Sequence, residues 1–190
     1  MRLTSRIAIV TTGLLAAAVT VLPASPALAT PTCDNKPATI TGSGVINGTG
    51  GDDVIVGSSG ADTIDGKGGN DTICGLGGTD NIYGGQGKDV IFGGDGADGL
   101  WGEGSGLVVT GGADEIHGGN GDDYIEGNVG DDTLYGDKDN DTVDGGDGAD
   151  TIYGGVAMAE TTGTQDDLCI GGSGKDTIMK TADECESWVD

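Results

Sequence analysis

The sequence predicts an all-β repeat protein, a stack of short strands joined by tight glycine turns. Three observations lead there. Asp recurs with a period of nine along most of the chain; one apolar residue follows each such Asp two places later; and Gly makes up 41 of 190 residues. With one Phe, two Trp and four Tyr, the chain lacks the bulky residues of a conventional core. A stack that buries one aliphatic side chain per repeat can still be built from this inventory.

The first segment is of another kind. Arg2 and Arg6 make a short basic start, Ile7 to Leu22 is uncharged and rich in Ile, Val, Leu and Ala, and Ala27-Leu28-Ala29 has the small-x-small form of a cleavage site. This is the pattern of a secretory signal peptide over residues 1–29, cleaved after Ala29, which places the rest of the chain outside the cell. A membrane anchor needs about 20 apolar residues, and Pro23 and Pro26 interrupt this run. Removing 29 of the 190 residues leaves 161, with 6 Lys against 32 acidic residues, a net charge of −26. That charge argues against nucleic acid and against an anionic membrane surface, and it favours cations. Of the acidic residues, 26 are Asp and 6 are Glu. A chain acidic only for solubility has no reason to prefer Asp so strongly, so the Asp residues have a position-specific task.

The register confirms this. Asp occupies positions 53, 62, 71, 80, 89 and 98, then 114, 123, 132, 141 and 150, then 167 and 176. The two gaps, of 16 and 17 residues, are each one repeat plus an insertion. The apolar partners are Ile55, Ile64, Ile73, Ile82, Ile91, Leu100, Ile116, Ile125, Leu134, Val143, Ile152, Cys169 and Ile178. Gly stands two places before most of these Asp, and another Gly opens most units, as in Gly84-Gly85-Gln86-Gly87-Lys88-Asp89-Val90-Ile91-Phe92. Each unit therefore reads as a glycine turn followed by a three-residue strand. Side chains alternate along a strand, so only the central apolar residue faces inward.

These units resemble the RTX (repeats-in-toxin) nonapeptide G-G-x-G-x-D-x-U-x, with U apolar, over about Gly48 to Met179. The resemblance implies a right-handed parallel β-roll, a β-solenoid with about 18 residues per turn. It also implies calcium ligation in the turns. Asp residues 18 apart then stack, as in Asp53 with Asp71, Asp62 with Asp80 and Asp114 with Asp132. Calcium takes six to eight oxygen ligands, which stacked carboxylates and turn carbonyls can supply. The expected ligands are Asp53, Asp62, Asp71, Asp80, Asp89, Asp98, Asp114, Asp123, Asp132, Asp141, Asp150 and Asp176. Seven stacked pairs suggest roughly five to eight Ca2+ ions. Without them the carboxylates repel, so folding is expected to be coupled to calcium. Asp139 and Gln165 replace a turn Gly and put their own units in question. Insertions near 103–111 and 156–164 are expected to bulge out and to interrupt the ladder near Asp98, Asp150 and Asp167.

Both ends of a solenoid need cover. Residues 30–47 are expected to form an N-terminal cap, with Ala38 to Asn47 as a first half-turn; residues 48–179 form the roll; residues 180–190, with Trp188, form the C-terminal cap. Four cysteines allow three disulfide connectivities. Two lie toward each end, so the expected pairs are Cys33–Cys74 and Cys169–Cys185.

Little else carries chemistry. His117 is the one His, at an outward strand position, and reads as a solvated surface residue. No nucleophile–base pattern surrounds it, so no enzymatic activity is expected. A threonine row that could suit ice is broken by Val54, Asn81, Val90, Gly99, Glu115 and Tyr124. The leading expectation is a secreted, monomeric calcium-binding protein. The alternative is a calcium-stabilised adhesion or matrix module whose insertions meet a partner at the cell surface.

Overall fold

A computed structural model describes residues 29–104, 111–155, 167–179 and the strand Ser187–Val189. Among these residues there is no helix, and two parallel sheets of eight strands each make up the body. Consecutive repeats alternate between the sheets. Thr63–Asp65, Asn81–Tyr83 and Gly99–Trp101 lie side by side in one; Val54–Ser58, Thr72–Gly77 and Val90–Asp95 lie side by side in the other. Two units thus close one coil, and residues 18 apart are neighbours in register. The parallel β-roll is present as expected.

The core follows from that register. Ile64, Ile82, Leu100, Ile125, Val143 and Cys169 stack from one sheet; Ile55, Ile73, Ile91, Ile116, Leu134 and Ile152 stack from the other; all are fully buried. Ile46 extends the row, and Ile40 and Ile178 close against it part-buried. One aliphatic residue is buried for every nine that are ordered. Apolar burial is therefore a thin source of stability, since each ordered residue also loses backbone entropy.

The N-terminal end is more elaborate than a half-turn. Thr32–Cys33 and Lys36–Pro37 form a small antiparallel hairpin, with Asp34 and Asn35 in the left-handed conformation at its tip. Ile40–Thr41 then joins one sheet and Val45–Asn47 the other, so residues 38–47 make both strands of a first coil. The hairpin is tied to the roll by the Cys33–Cys74 disulfide and by Lys36 Nζ donating to Thr72 Oγ1 at 2.9 Å. This is the pairing expected from the sequence. Cys169 is disulfide-bonded too, and its expected partner, Cys185, lies outside the described residues. At the other end, Ser187–Val189 pairs with Leu168–Ile170. The signal segment up to residue 28, the inner parts of both insertions and Gln165 also lie outside the described residues.

The threonines do not form one row. Because successive units fall on opposite sheets, Thr72 and Thr133 belong to one face and Thr63 and Thr142 to the other.

Candidate metal centre

Each turn delivers its Asp inward at the edge between the sheets. Asp53, Asp62, Asp71, Asp80, Asp89, Asp98, Asp114, Asp123, Asp132, Asp141, Asp150 and Asp167 are all at most 7% exposed. They form two ladders, one along each edge. Within a ladder the backbone N–H of every Asp from Asp53 to Asp150 donates to Oδ1 of the Asp one coil further on. Asp71 donates to Asp89, Asp80 to Asp98, and Asp114 to Asp132, each at 2.8 Å. The stacked pairs read from the sequence are therefore in contact.

The insertions do not interrupt these ladders. Asp89 donates to Asp114 and Asp98 to Asp123 at 2.8 Å, and Asp141 donates to Asp167 at 3.0 Å. Asp150 donates to Asp176 at 3.2 Å. The hydrogen-bonded ladder is continuous past both insertions, where an interruption was expected. Asp167 belongs to the ladder as much as its neighbours do. Asp139 is accommodated as well, since it takes the left-handed conformation a turn glycine would take, with φ at 77°. Asp176, last in its ladder, is only half-buried.

The second carboxylate oxygen is the informative one. Oδ2 of Asp71, Asp80, Asp89, Asp98, Asp114, Asp123, Asp132, Asp141 and Asp150 is buried and accepts no hydrogen bond. Each of these oxygens faces the Gly that opens its own turn, together with the carbonyl oxygen of the matching Gly one coil on. A Cβ on Gly127 would stand 2.5 Å from both Asp132 Oδ2 and Gly145 O; one on Gly93 would stand 2.7 Å from Asp98 Oδ2 and 2.6 Å from Gly118 O. The same convergence recurs at Gly66, Gly75, Gly84, Gly102, Gly118, Gly136 and Gly145. These are nine cradles with an unpartnered oxygen, against seven pairs counted from the sequence; a tenth convergence, at Gly57, holds Asp62 Oδ2, which has partners. Only glycine leaves room for them.

At Asp53 and Asp62 the second oxygen has partners. Oδ2 of Asp53 accepts from Thr49 N at 2.8 Å and from Thr49 Oγ1 at 2.9 Å. Oδ2 of Asp62 accepts from Ser58 N at 2.7 Å and from Ser58 Oγ at 2.9 Å. In these two turns the protein itself supplies the partners.

Burial sets the electrostatics. Desolvation pushes Asp132 and Asp141 up to about 8, Asp89, Asp114 and Asp123 to about 7, and Asp71 and Asp80 to about 6. The N–H from the preceding coil offsets part of this, and repulsion between coils adds to it in most of these groups. Asp98 and Asp150 are raised for the same first reason. Rows of buried carboxylates without cations are costly. A hard divalent ion relieves that cost, and a donor set of carboxylate and carbonyl oxygens with no nitrogen or sulfur suits calcium.

Two features were missed in the sequence. Glu103, assigned to an insertion, is 2% exposed and belongs to the roll. Its carboxylate accepts from Gly112 N at 3.2 Å and Val129 N at 3.1 Å, bridging the gap where the insertion departs. Burial pushes it up to about 6. Its place directly after Gly102, nine residues beyond Gly93, was the available signal. His117 is at the surface but only partly solvated: its side chain is 25% exposed and its ring stacks between Phe92 and Tyr135, at 5.1 and 4.3 Å. Tyr153 continues this outer stack beside Tyr135.

The family model for the RTX calcium-binding nonapeptide repeat (four copies) matches residues 40–73, 75–105, 108–143, 126–156 and 161–178. A comparison with curated proteins gives no match. Period, ladder and cradle agree with the family match: the chain belongs to the RTX calcium-binding nonapeptide repeat family, and Ca2+ is the ion its repeats bind.

Proposed function

We propose that this is a secreted calcium-binding protein, without catalytic activity, whose folding is coupled to the ions it takes up. The observation that carries the reading is the row of nine buried Oδ2 atoms that accept no hydrogen bond, each beside a backbone carbonyl. Asp71, Asp80, Asp89, Asp98, Asp114, Asp123, Asp132, Asp141 and Asp150 are the proposed ligands, with carbonyls such as Gly145 O and Gly118 O completing the sites between coils. Asp176 is a weaker ligand, since it is half-exposed. Coupling follows from the thin core and the stacked charge: ligands that are scattered in the unfolded chain bind tightly only once the coils are stacked. Secretion is supported by the signal-like first segment and by the Cys33–Cys74 disulfide, a bond that persists in oxidising compartments.

The test has two parts. Expressed with its own N-terminus, the protein should be released to the medium and begin at Thr30; retention in the cell would refute secretion. The released protein is then followed by far-UV circular dichroism, titrated with calcium from chelator upward and with magnesium as control. A cooperative gain of β signal with calcium alone is expected. A complete β spectrum in chelator, unchanged by calcium, would refute the coupling.

A further inference from the structure

The second carboxylate oxygens of the first repeats are closed by donors from the protein. Asp53 Oδ2 takes the N–H and hydroxyl of Thr49, and Asp62 Oδ2 takes the N–H and hydroxyl of Ser58. Thr39 Oγ1 adds a 3.3 Å bond to Asp53 Oδ1, and Gly44 N bonds Asp62 Oδ1. The backbone differs in the same two turns. In most later turns the second residue is left-handed, at Lys67 (φ 75°), Leu76 (83°), Asn128 (69°) and Asp137 (75°), and so is the fourth, as at Gly69, Gly78 and Gly87; Glu103, Gly112 and Gly130, in the turns before Asp114 and Asp132, are the exceptions. Thr49, Gly51, Ser58 and Gly60 are not among the positive-φ residues. Their turn aims N–H and O–H hydrogens at Oδ2. Those hydrogens carry partial positive charge and lie where a cation would need to sit. Gly57 still has Asp62 Oδ2 and Gly75 O converging on it, so the glycine survives although the oxygen is already satisfied.

We propose that Asp53 and Asp62 hold no calcium, and that the first repeats, residues 38–65, are a metal-independent template on which the calcium-dependent coils stack. This rests on the calcium-coupled reading above and limits where the coupling begins. The template has its own supports. The Cys33–Cys74 disulfide and the Lys36–Thr72 bond clamp the hairpin across it. Thr39 N donates to Val54 O, Gly48 N to Asp65 O and Thr63 N to Gly44 O. A preformed coil removes the costly first step of a solenoid, because the next coil needs only to add to an existing edge. It also gives the fold a direction, from the N-terminal end onward.

The test uses the full chain with its disulfides formed. Bound calcium is counted by equilibrium dialysis in wild type and in a Thr49→Gly/Ser58→Gly double variant. Gly is the residue found at the matching place in several later turns, at Gly85, Gly94, Gly119 and Gly146. The double variant should gain about two ions. As a second variant, Asp62→Asn keeps an acceptor for Ser58 and should leave the count unchanged, whereas Asp80→Asn should lower it by about one. A loss of an ion in Asp62→Asn, or no gain in the double variant while it remains folded, would overturn the proposal. Hydrogen exchange in chelator gives the other half. The amides of Thr39, Gly48 and Thr63 should stay protected while those of Thr133 and Thr151 exchange. Equal loss at both ends overturns the template. Equal protection at both ends would instead refute calcium-coupled folding, and the ion counts would still decide whether Asp53 and Asp62 are ligands.

Discussion

The first repeats and those that follow obey one nonapeptide pattern, yet they dispose of the same carboxylate in opposite ways. At Asp53 and Asp62 a neighbouring hydroxyl and N–H close the second oxygen. From Asp71 to Asp150 that oxygen is buried against a glycine and a carbonyl, with no donor in reach. The difference lies in the second residue of the turn, Thr49 and Ser58 against Lys67, Leu76, Gly85 or Asn128. The family match begins at residue 40 and covers both kinds of turn. A repeat that conforms to the pattern does not by itself leave its second oxygen without a partner; the donors of its own turn decide.

The sharpest way to break the comparison is to fill one cradle with a methyl group and to set it against a methyl group at an open turn glycine of the first repeats. In Gly127→Ala the new Cβ would meet Asp132 Oδ2 and Gly145 O, each at 2.5 Å, and backbone cannot move aside as a flexible side chain could. Overpacking of this kind costs about 1–3 kcal/mol, and the ion between those oxygens would be lost as well. Gly51→Ala, in the first repeats, meets nothing within 4 Å and needs no positive φ. It should change stability by no more than about 0.5 kcal/mol. Calcium-dependent melting of the two variants checks this. Equal effects would mean that the cradles are not where calcium binds.

Acidity separates the same regions by a second route. In the calcium-free chain the raised carboxylates of the later coils favour the protonated folded state. Their contribution is fully present below their ordinary value of 3.8 and is lost as pH rises through about 6 to 8. In chelator, β content should therefore be higher near pH 5 than near pH 8. In calcium the order reverses, because protons compete for the same oxygens, and apparent affinity should fall as pH drops from 8 to 6. Circular dichroism in chelator and calcium titrations at several pH values measure both. A pH-independent titration over that interval would show that the ligands are not these buried carboxylates.

Much of this was legible in the sequence because a nonapeptide repeat is a strong geometric constraint. Period nine with one apolar residue per unit fixed the strand, the inward side chain and the stacking partner of each Asp. The cysteine positions pointed correctly to Cys33–Cys74. What was not legible depends on three-dimensional return. Counting along the chain suggested that extra residues between Asp98 and Asp114 would interrupt the ladder, but Asp98 reaches Asp123 at the usual 2.8 Å, so the register is kept across the insertion. Thr49 and Ser58 occupy a variable place in the repeat, so their closing role shows only once their hydroxyls are seen against the carboxylates. Glu103 was hidden by its assignment to a loop, and the outer aromatic stack by spacings of 25 and 18 residues between Phe92, His117 and Tyr135.

That stack supplies the smallest expected effect and separates the outer face from the inner ladder. His117 lies between Phe92 and Tyr135, with Glu115 Oε1 3.3 Å from Nε2 and Asp137 Oδ2 3.5 Å from Nδ1. Burial alone would lower its pKa, but hydrogen bonds and charge from Asp137 and Glu115 outweigh it and raise the value above 6.5. A raised His pKa contributes stability that is present below 6.5 and lost as pH rises through the folded value. His117→Phe keeps the ring stack and removes the charge. In saturating calcium the variant should be less stable than wild type by no more than about 1 kcal/mol at pH 6, with the gap closing by pH 9. Its calcium count should not change, because His117 faces outward while the cradles lie at the coil edges. A gap that persists at pH 9 would assign the role of His117 to packing alone, and a lost ion would mean that the outer face and the ladder are not independent.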